Sequence, residues 1–242
     1  MDRNDFMIFK WGKILWPLAA FSIFLSGCND LTEKKAKREA TAEEMYLSAD
    51  AKLKDNLNAE AASLFAAVER QYPYSEWAKK SLLMSAIANH NGAFYEESRA
   101  DAERYLDFYP ADVDAAHAQY LIALSYYDQI DNVSRDQSVT FNALQAFRTV
   151  IERYPNSEYT SPSLLKFDLS LDHLAGAEME VGRYYLKRGH FGAAISRFRV
   201  VVEEFETTSH TPEALHRLVE SYLSLGLTAN AQTTGAILGH NF

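Results

Sequence analysis

Reactive side chains are few in this chain, and their spacing brings almost none of them together. The one cysteine is Cys28, so no intrachain disulfide can form. Its thiol follows Leu25-Ser26-Gly27, where two small residues fit the cleft of a peptidase. Seven histidines are scattered. His210 and His216 lie six apart, a spacing that does not share a helix face. No His-Glu-x-x-His, Walker loop, Gly-x-Gly-x-x-Gly or Gly-x-Ser-x-Gly stretch occurs. The acidic groups Glu96-Glu97, Asp101 with Glu103, and Glu203-Glu204 read as solvated helix faces. No catalytic residue, metal site or bound cofactor is expected. What remains is one thiol and the capacity to recognise other molecules.

The 242 residues are 48% hydrophobic and 24% charged, the balance of an ordinary globular protein. The net charge of -9 leaves no basic surplus to neutralise a phosphate backbone, which argues against nucleic-acid binding. Ten glycines and six prolines are few for a turn-rich β protein.

The N-terminus reads as an export signal. Lys10 and Lys13 precede the apolar run from Ile14 to Leu25, which is short of the ~20 residues a spanning helix needs. Leu25-Ser26-Gly27-Cys28 resembles a bacterial lipobox. The resemblance implies that residues 1–27 are a signal peptide and that Cys28 carries a thioether-linked diacylglycerol. It also implies an acyl chain on the new N-terminal amine. Two or more chains hold a protein firmly to a bilayer, at ~0.8 kcal/mol per buried methylene. Asn29, where an Asp is absent, resembles the default for outer-membrane delivery. Residues 28–41 then read as the lipidated N-terminus and a polar tether.

The remainder, 42–242, repeats itself. Ala49, Ala61, Phe65, Val68 and Tyr72-Pro73 return 37 residues later as Ala86, Ser98, Ala102, Tyr105 and Tyr109-Pro110. A third copy has Ala123, Tyr126, Ala143, Phe147, Val150 and Tyr154-Pro155; it is 8 residues longer, within Gln129 to Thr140. Gly182, Tyr185, Ala194, Phe198, Val201 and Phe205-Glu206 make a fourth, and Val219, Tyr222, Gly226 and Ala231 begin a fifth. This is a tetratricopeptide (TPR) pattern, a little longer than the usual ~34-residue unit. Small residues let paired helices cross closely, aromatics fill the space between units, and Pro stops the second helix. One unit cannot bury its apolar face alone, and stacked units can.

The fold class is therefore all-α: a right-handed TPR superhelix of about five helix-turn-helix repeats. The ten helices are predicted over 42–55, 59–72, 76–90, 94–109, 113–129, 138–154, 162–188, 191–206, 211–225 and 228–239. Ser161-Pro162 predicts a helix start with Pro in the first position, and Gly189 the end of that long helix.

A TPR array offers a groove lined mainly by the first helix of each unit. Its groove positions fall on Glu43, Tyr46, Asp50 and Leu53, then Lys80, Leu83, Ile87, His90 and Asn91, then His117, Tyr120, Leu124, Tyr127 and Asp128. Of these, Tyr46, Asp50, His90, Asn91, Tyr120, Tyr127 and Asp128 are the expected substrate-binding residues. Polar groups would pair with an extended peptide's backbone or terminus, and aromatics would cover its side chains.

The polar insertion with Arg135-Asp136, the stretch Tyr154-Pro155-Asn156-Ser157-Glu158-Tyr159-Thr160 and the stretch Tyr184-Tyr185-Leu186-Lys187-Arg188-Gly189 resemble the BamD family of outer-membrane assembly lipoproteins. Glu206-Thr207 and the C-terminus depart from that family's pattern. The resemblance implies a non-enzymatic, lipid-anchored protein on the periplasmic face of the outer membrane. Its partners would be BamA, through a POTRA domain, other Bam subunits, and the C-terminal β-signals of unfolded outer-membrane proteins. Residues 42–128 would receive substrate and 129–242 would dock on BamA. Arg197, in Ser196-Arg197-Phe198, would pair with an acidic POTRA residue. A second reading is a TPR lipoprotein scaffold for pilus or peptidoglycan enzymes. A third, an enzyme on a repeat scaffold, would need a carboxylate pair or a nucleophile and base converging in a cleft.

Overall fold

A computed structural model describes residues 39–133 and 135–242. The chain divides into two units, Met1–Glu39 and Ala40–Phe242. The signal peptide, Cys28 and most of the tether lie outside the described residues.

Ten α-helices follow one another in the second unit: α1 (Ala42–Lys54), α2 (Asn58–Gln71), α3 (Glu76–Asn91), α4 (Tyr95–Phe108), α5 (Ala115–Tyr127), α6 (Ser138–Arg153), α7 (Thr160–Lys187), α8 (Phe191–Glu204), α9 (Thr211–Ser224) and α10 (Thr228–Asn241). No strand occurs among the described residues. Each helix packs on the next in sequence, and α1, α3, α5 and α7 also touch in order. That is the arrangement of stacked helix pairs. Among the described residues no helix is long and apolar enough to cross a membrane.

The repeat residues form the core. Ala49, Ala61, Ala86, Ala102, Ala123, Ala143 and Ala194 are fully buried. So are the large side chains Phe65, Phe147 and Phe198 at one repeat position, and Tyr105 where the other units place Val68, Val150 and Val201. Truncating such a ring costs about 3–5 kcal/mol. Gly182 shows why the crossing position is small: a Cβ there would sit 2.4 Å from Phe198. Ser98 takes a small position by donating its hydroxyl to the Ala86 carbonyl at 2.9 Å.

Within four units the turn between paired helices is the same. In the first, the Leu57 N–H donates to the Lys52 carbonyl and the Asn56 N–H to the Leu53 carbonyl. The residue between has positive φ: Asn56 (59°), Ala93 (60°), Gly189 (75°) and Gly226 (72°). This is a Schellman ending, which satisfies the last carbonyls of the helix. Gly189 thus lies one residue past the α7 cap, Arg188. The third unit lacks this turn. Its insertion instead carries Asp136, whose carboxylate accepts from the Ser138 N–H at 3.2 Å and hydroxyl at 2.5 Å, so that the first N–H of α6 is paired.

Between units the closing aromatic sits in extended φ at Tyr72, Tyr109 and Tyr154, as expected before Pro. Phe205 has no Pro after it, yet caps α8 with a φ of -125°. Thr208 and Thr211 donate their hydroxyls to the Phe205 carbonyl at 2.8 and 3.1 Å, as Ser75 and Thr160 do to the Tyr72 and Tyr154 carbonyls at 2.9 and 2.6 Å. One expectation is corrected. α7 starts at Thr160, which puts Pro162 third rather than first. The first-turn N–H groups have no intrahelical acceptor, so Pro is tolerated there too.

Candidate functional site

The predicted groove residues divide into two groups. In the first unit the Tyr46 ring packs 5.4 Å from Phe65 and 4.9 Å from Trp77, centre to centre. Trp77 belongs to α3, so this contact joins two units and roofs one end of the groove. Lys80 Nζ lies 4.6 Å from the Trp77 ring centre, a cation–π approach. Asp50 is held by Lys54 at 2.6 Å on its own helix. Burial pushes the Tyr46 hydroxyl up, and Asp50 adds to it, so that hydroxyl stays a donor at neutral pH.

The second group joins α3, α5 and the start of α7. His90 Nε2 lies 3.1 Å from an Asp128 carboxylate oxygen, at an angle that makes no hydrogen bond. The His90 ring also meets Tyr95 edge-on at 5.6 Å. Tyr120 lies 6.2 Å from Phe147 and 5.2 Å from Tyr159. His117 stacks flat on Tyr159 at 4.8 Å. Burial lowers the His117 pKa and raises those of Tyr120 and Tyr159. The neutral imidazole and the protonated phenols are therefore the favoured forms. Tyr127 rests against Phe147 at 5.8 Å, with Lys166 Nζ 4.1 Å from its ring centre. Asn91 and Asp128 are exposed. Leu83 is only 7% exposed and belongs to the core, because the next unit covers it.

The sequence reading missed Trp77, Tyr159 and Lys166. A signal for the two aromatics was present. Trp77 stands five residues after Tyr72, and Tyr159 five after Tyr154. That offset places each in the opening turn of the next unit, beside Tyr46 and Tyr120 respectively.

Arg197 lies on α8, and its side chain is 45% exposed. One nitrogen donates to both oxygens of Glu178 on α7, at 3.0 and 3.3 Å. Among the described residues no group of three or more His, Cys, Asp or Glu could hold a metal ion. The site can therefore offer aromatic faces, phenolic donors and exposed carboxylate and amide groups to a polypeptide.

Comparison with known proteins gives this arrangement a family. A family described as YfiO, outer membrane lipoprotein, matches residues 38–237. The outer membrane protein assembly factor BamD of Caulobacter vibrioides is 51% identical over 183 residues, 76% of this chain and 60% of that protein. BamD of Rickettsia prowazekii is 39% identical over 96% of this chain and 92% of its own length. BamD of Neisseria meningitidis serogroup A is 28% identical over 95% of this chain and 91% of its own. With the match running from just before α1 into α10, the chain belongs to the YfiO family of outer membrane lipoproteins.

Proposed function

We propose that this chain is a lipid-anchored adaptor of the β-barrel assembly complex, acting on the periplasmic face of the outer membrane. Family membership along the whole helical unit carries the reading, together with relatives named outer membrane protein assembly factors. Residues 1–27 are its signal peptide, and acylated Cys28 its anchor. Residues 42–128 hold unfolded barrel substrates by a C-terminal β-signal, and 129–242 dock on the POTRA domain of BamA beside other Bam subunits.

The groove chemistry supports this. Tyr46, Tyr120 and Tyr127 are half-buried and offer ring faces to substrate side chains. Asn91 and Asp128 lie exposed beside them, able to pair with its backbone. Binding through such a surface is weak and exchangeable, as a handover requires. At the other end Glu178 fixes one edge of the Arg197 guanidinium, and the rest of the fork is left to meet a partner carboxylate. A carrier of this kind alters no covalent bond in its cargo.

The test is purification from native membranes in mild detergent. BamA is expected to accompany the wild-type chain, and Arg197→Glu to cut its recovery about tenfold, near the lower end of the loss from breaking an interfacial charge pair. Tyr46→Ala and Tyr127→Ala are expected to reduce photocrosslinking to a β-signal peptide while the circular dichroism keeps its helical signature. Unchanged recovery removes Arg197 from docking, and unchanged crosslinking removes these tyrosines from the binding surface.

A further inference from the structure

Two hollows lie away from the groove. One cavity of about 440 Å³ is lined by Ala59, Ala62, Ser63, Phe94 and Glu97 among others. A second, of about 640 Å³, is lined by Arg70, Pro73, Tyr74, Leu82 and Phe108 among others. Both include Ala66 and Asp101, so they form one continuous furrow. Its walls are α2 and α4. Its floor is the face of α3 carrying Ala78, Leu82, Ser85 and Asn89, opposite the groove positions Lys80, Ile87 and His90. From Ala59 to Arg70 the wall runs about 17 Å at the helical rise.

Two observations say what would fill it. The first is charge. Glu69 is neutralised by Arg104 at 2.6 Å. Asp101 accepts from Ser85 at 2.6 Å and Asn89 at 3.0 Å, and lies 3.4 Å from Arg104. That leaves Arg70 at one end and Glu97 at the other, with no ion pair among the described residues. Exposed rings stand at both ends: Phe94 (43%) near Glu97, and Tyr74 (101%) and Phe108 (62%) near Arg70. The second observation is backbone supply. The walls and floor are helices whose own N–H and C=O groups are bonded internally, so an extended strand would find almost no partners. An occupant must satisfy its own backbone, as a helix does.

We propose that this furrow is a second docking site, which takes a short amphipathic helix of a protein partner, cationic near Glu97 and anionic near Arg70. The small side chains Ala59, Ala62, Ser63 and Ala66 let that helix approach closely, and its apolar stripe covers Phe94, Tyr74 and Phe108.

The probes are three stapled helical peptides of about 12 residues, long enough to span the furrow at the helical rise. All carry leucines at i, i+4 and i+7. Their ends are charged plus and minus, plus and plus, or minus and minus. Fluorescence anisotropy with the full chain is expected to favour the mixed peptide by about fivefold, the worth of one exposed ion pair. Arg70→Glu shifts the preference to the doubly cationic peptide, and Glu97→Lys to the doubly anionic one. Ser63→Trp, at an exposed position, blocks all three while leaving β-signal crosslinking in the groove unchanged. Equal affinity for the three peptides, absence of binding, or binding that survives Ser63→Trp overturns the proposal. None of these outcomes bears on the adaptor reading, which rests on other residues.

Discussion

Single residues carry the constraints of this fold unevenly. The four equivalent left-handed turn positions hold Asn56, Ala93, Gly189 and Gly226. Asn and Gly tolerate that region, and Ala does not: its Cβ crowds the following carbonyl at a cost of roughly 1–2 kcal/mol. Gly92 stands one residue too early to help. Ala93 is exposed, so its methyl group contributes little packing in return. Ala93→Gly is therefore expected to stabilise the protein, by about 0.5–1 kcal/mol once the extra freedom of glycine in the unfolded chain is subtracted. Thermal unfolding followed at 222 nm checks this; a melting temperature that stays the same or falls contradicts it. Gly182 is the opposite case, since Phe198 already occupies the place of its missing Cβ.

At the scale of elements, the helices were legible because five copies of one pattern report on each other. Small residues at 49, 86, 123 and 182 fixed the pairing, and closing aromatics fixed the ends to within about two residues. Contacts between units were less legible. Which side chain meets a groove tyrosine depends on where the next unit starts: Trp77 meets Tyr46 and Tyr159 meets Tyr120, while Asp114 fills the same column without a ring. Proline is not the only closing device. Three residues after each aromatic stands Ser75, Asp112, Ser157 or Thr208, whose N–H bonds back to that aromatic's carbonyl. Asp112 does more than its counterparts. It accepts from Lys79 at 2.6 Å and from the buried Tyr105 hydroxyl at 2.8 Å. Lys79 first of all, helped by the Asp114 N–H and by Tyr105, holds its carboxyl down at about 2. A pKa lowered by folding gives stability that is complete above the unfolded value near 4 and fades as pH falls through about 2. Solvent screening at this turn reduces the contribution to on the order of 1 kcal/mol. Asp112→Asn is expected to shrink the loss in urea midpoint between about pH 5 and pH 2.5. An acid profile identical to wild type separates Asp112 from the effect.

The molecule as a whole must reach a membrane without a spanning segment in its described part. The helices carry stripes matched to one another, and α7, at 28 residues, is too polar to cross a bilayer. In the proposed reading, membrane residence depends on acylated Cys28. Thr41 caps α1 with a reciprocal bond to Glu44, and Tyr72 donates to the Ala40 carbonyl at 2.6 Å. Ala40, the first residue tied down in this way, stands 12 positions after that cysteine in the sequence. The proposed anchor would confine both the groove and the furrow to the membrane surface and raise their local concentration near other membrane-bound subunits, without any new contact. Cys28→Ala is expected to abolish incorporation of labelled palmitate and to leave the helical content intact. It should also move the protein out of the outer-membrane fraction, because one lost thioether removes two chains and blocks the later N-acylation. Palmitate labelling that persists in Cys28→Ala places the lipid on another residue. Loss of label with undiminished outer-membrane residence shows that the helical unit is held there by its protein partners rather than by the anchor.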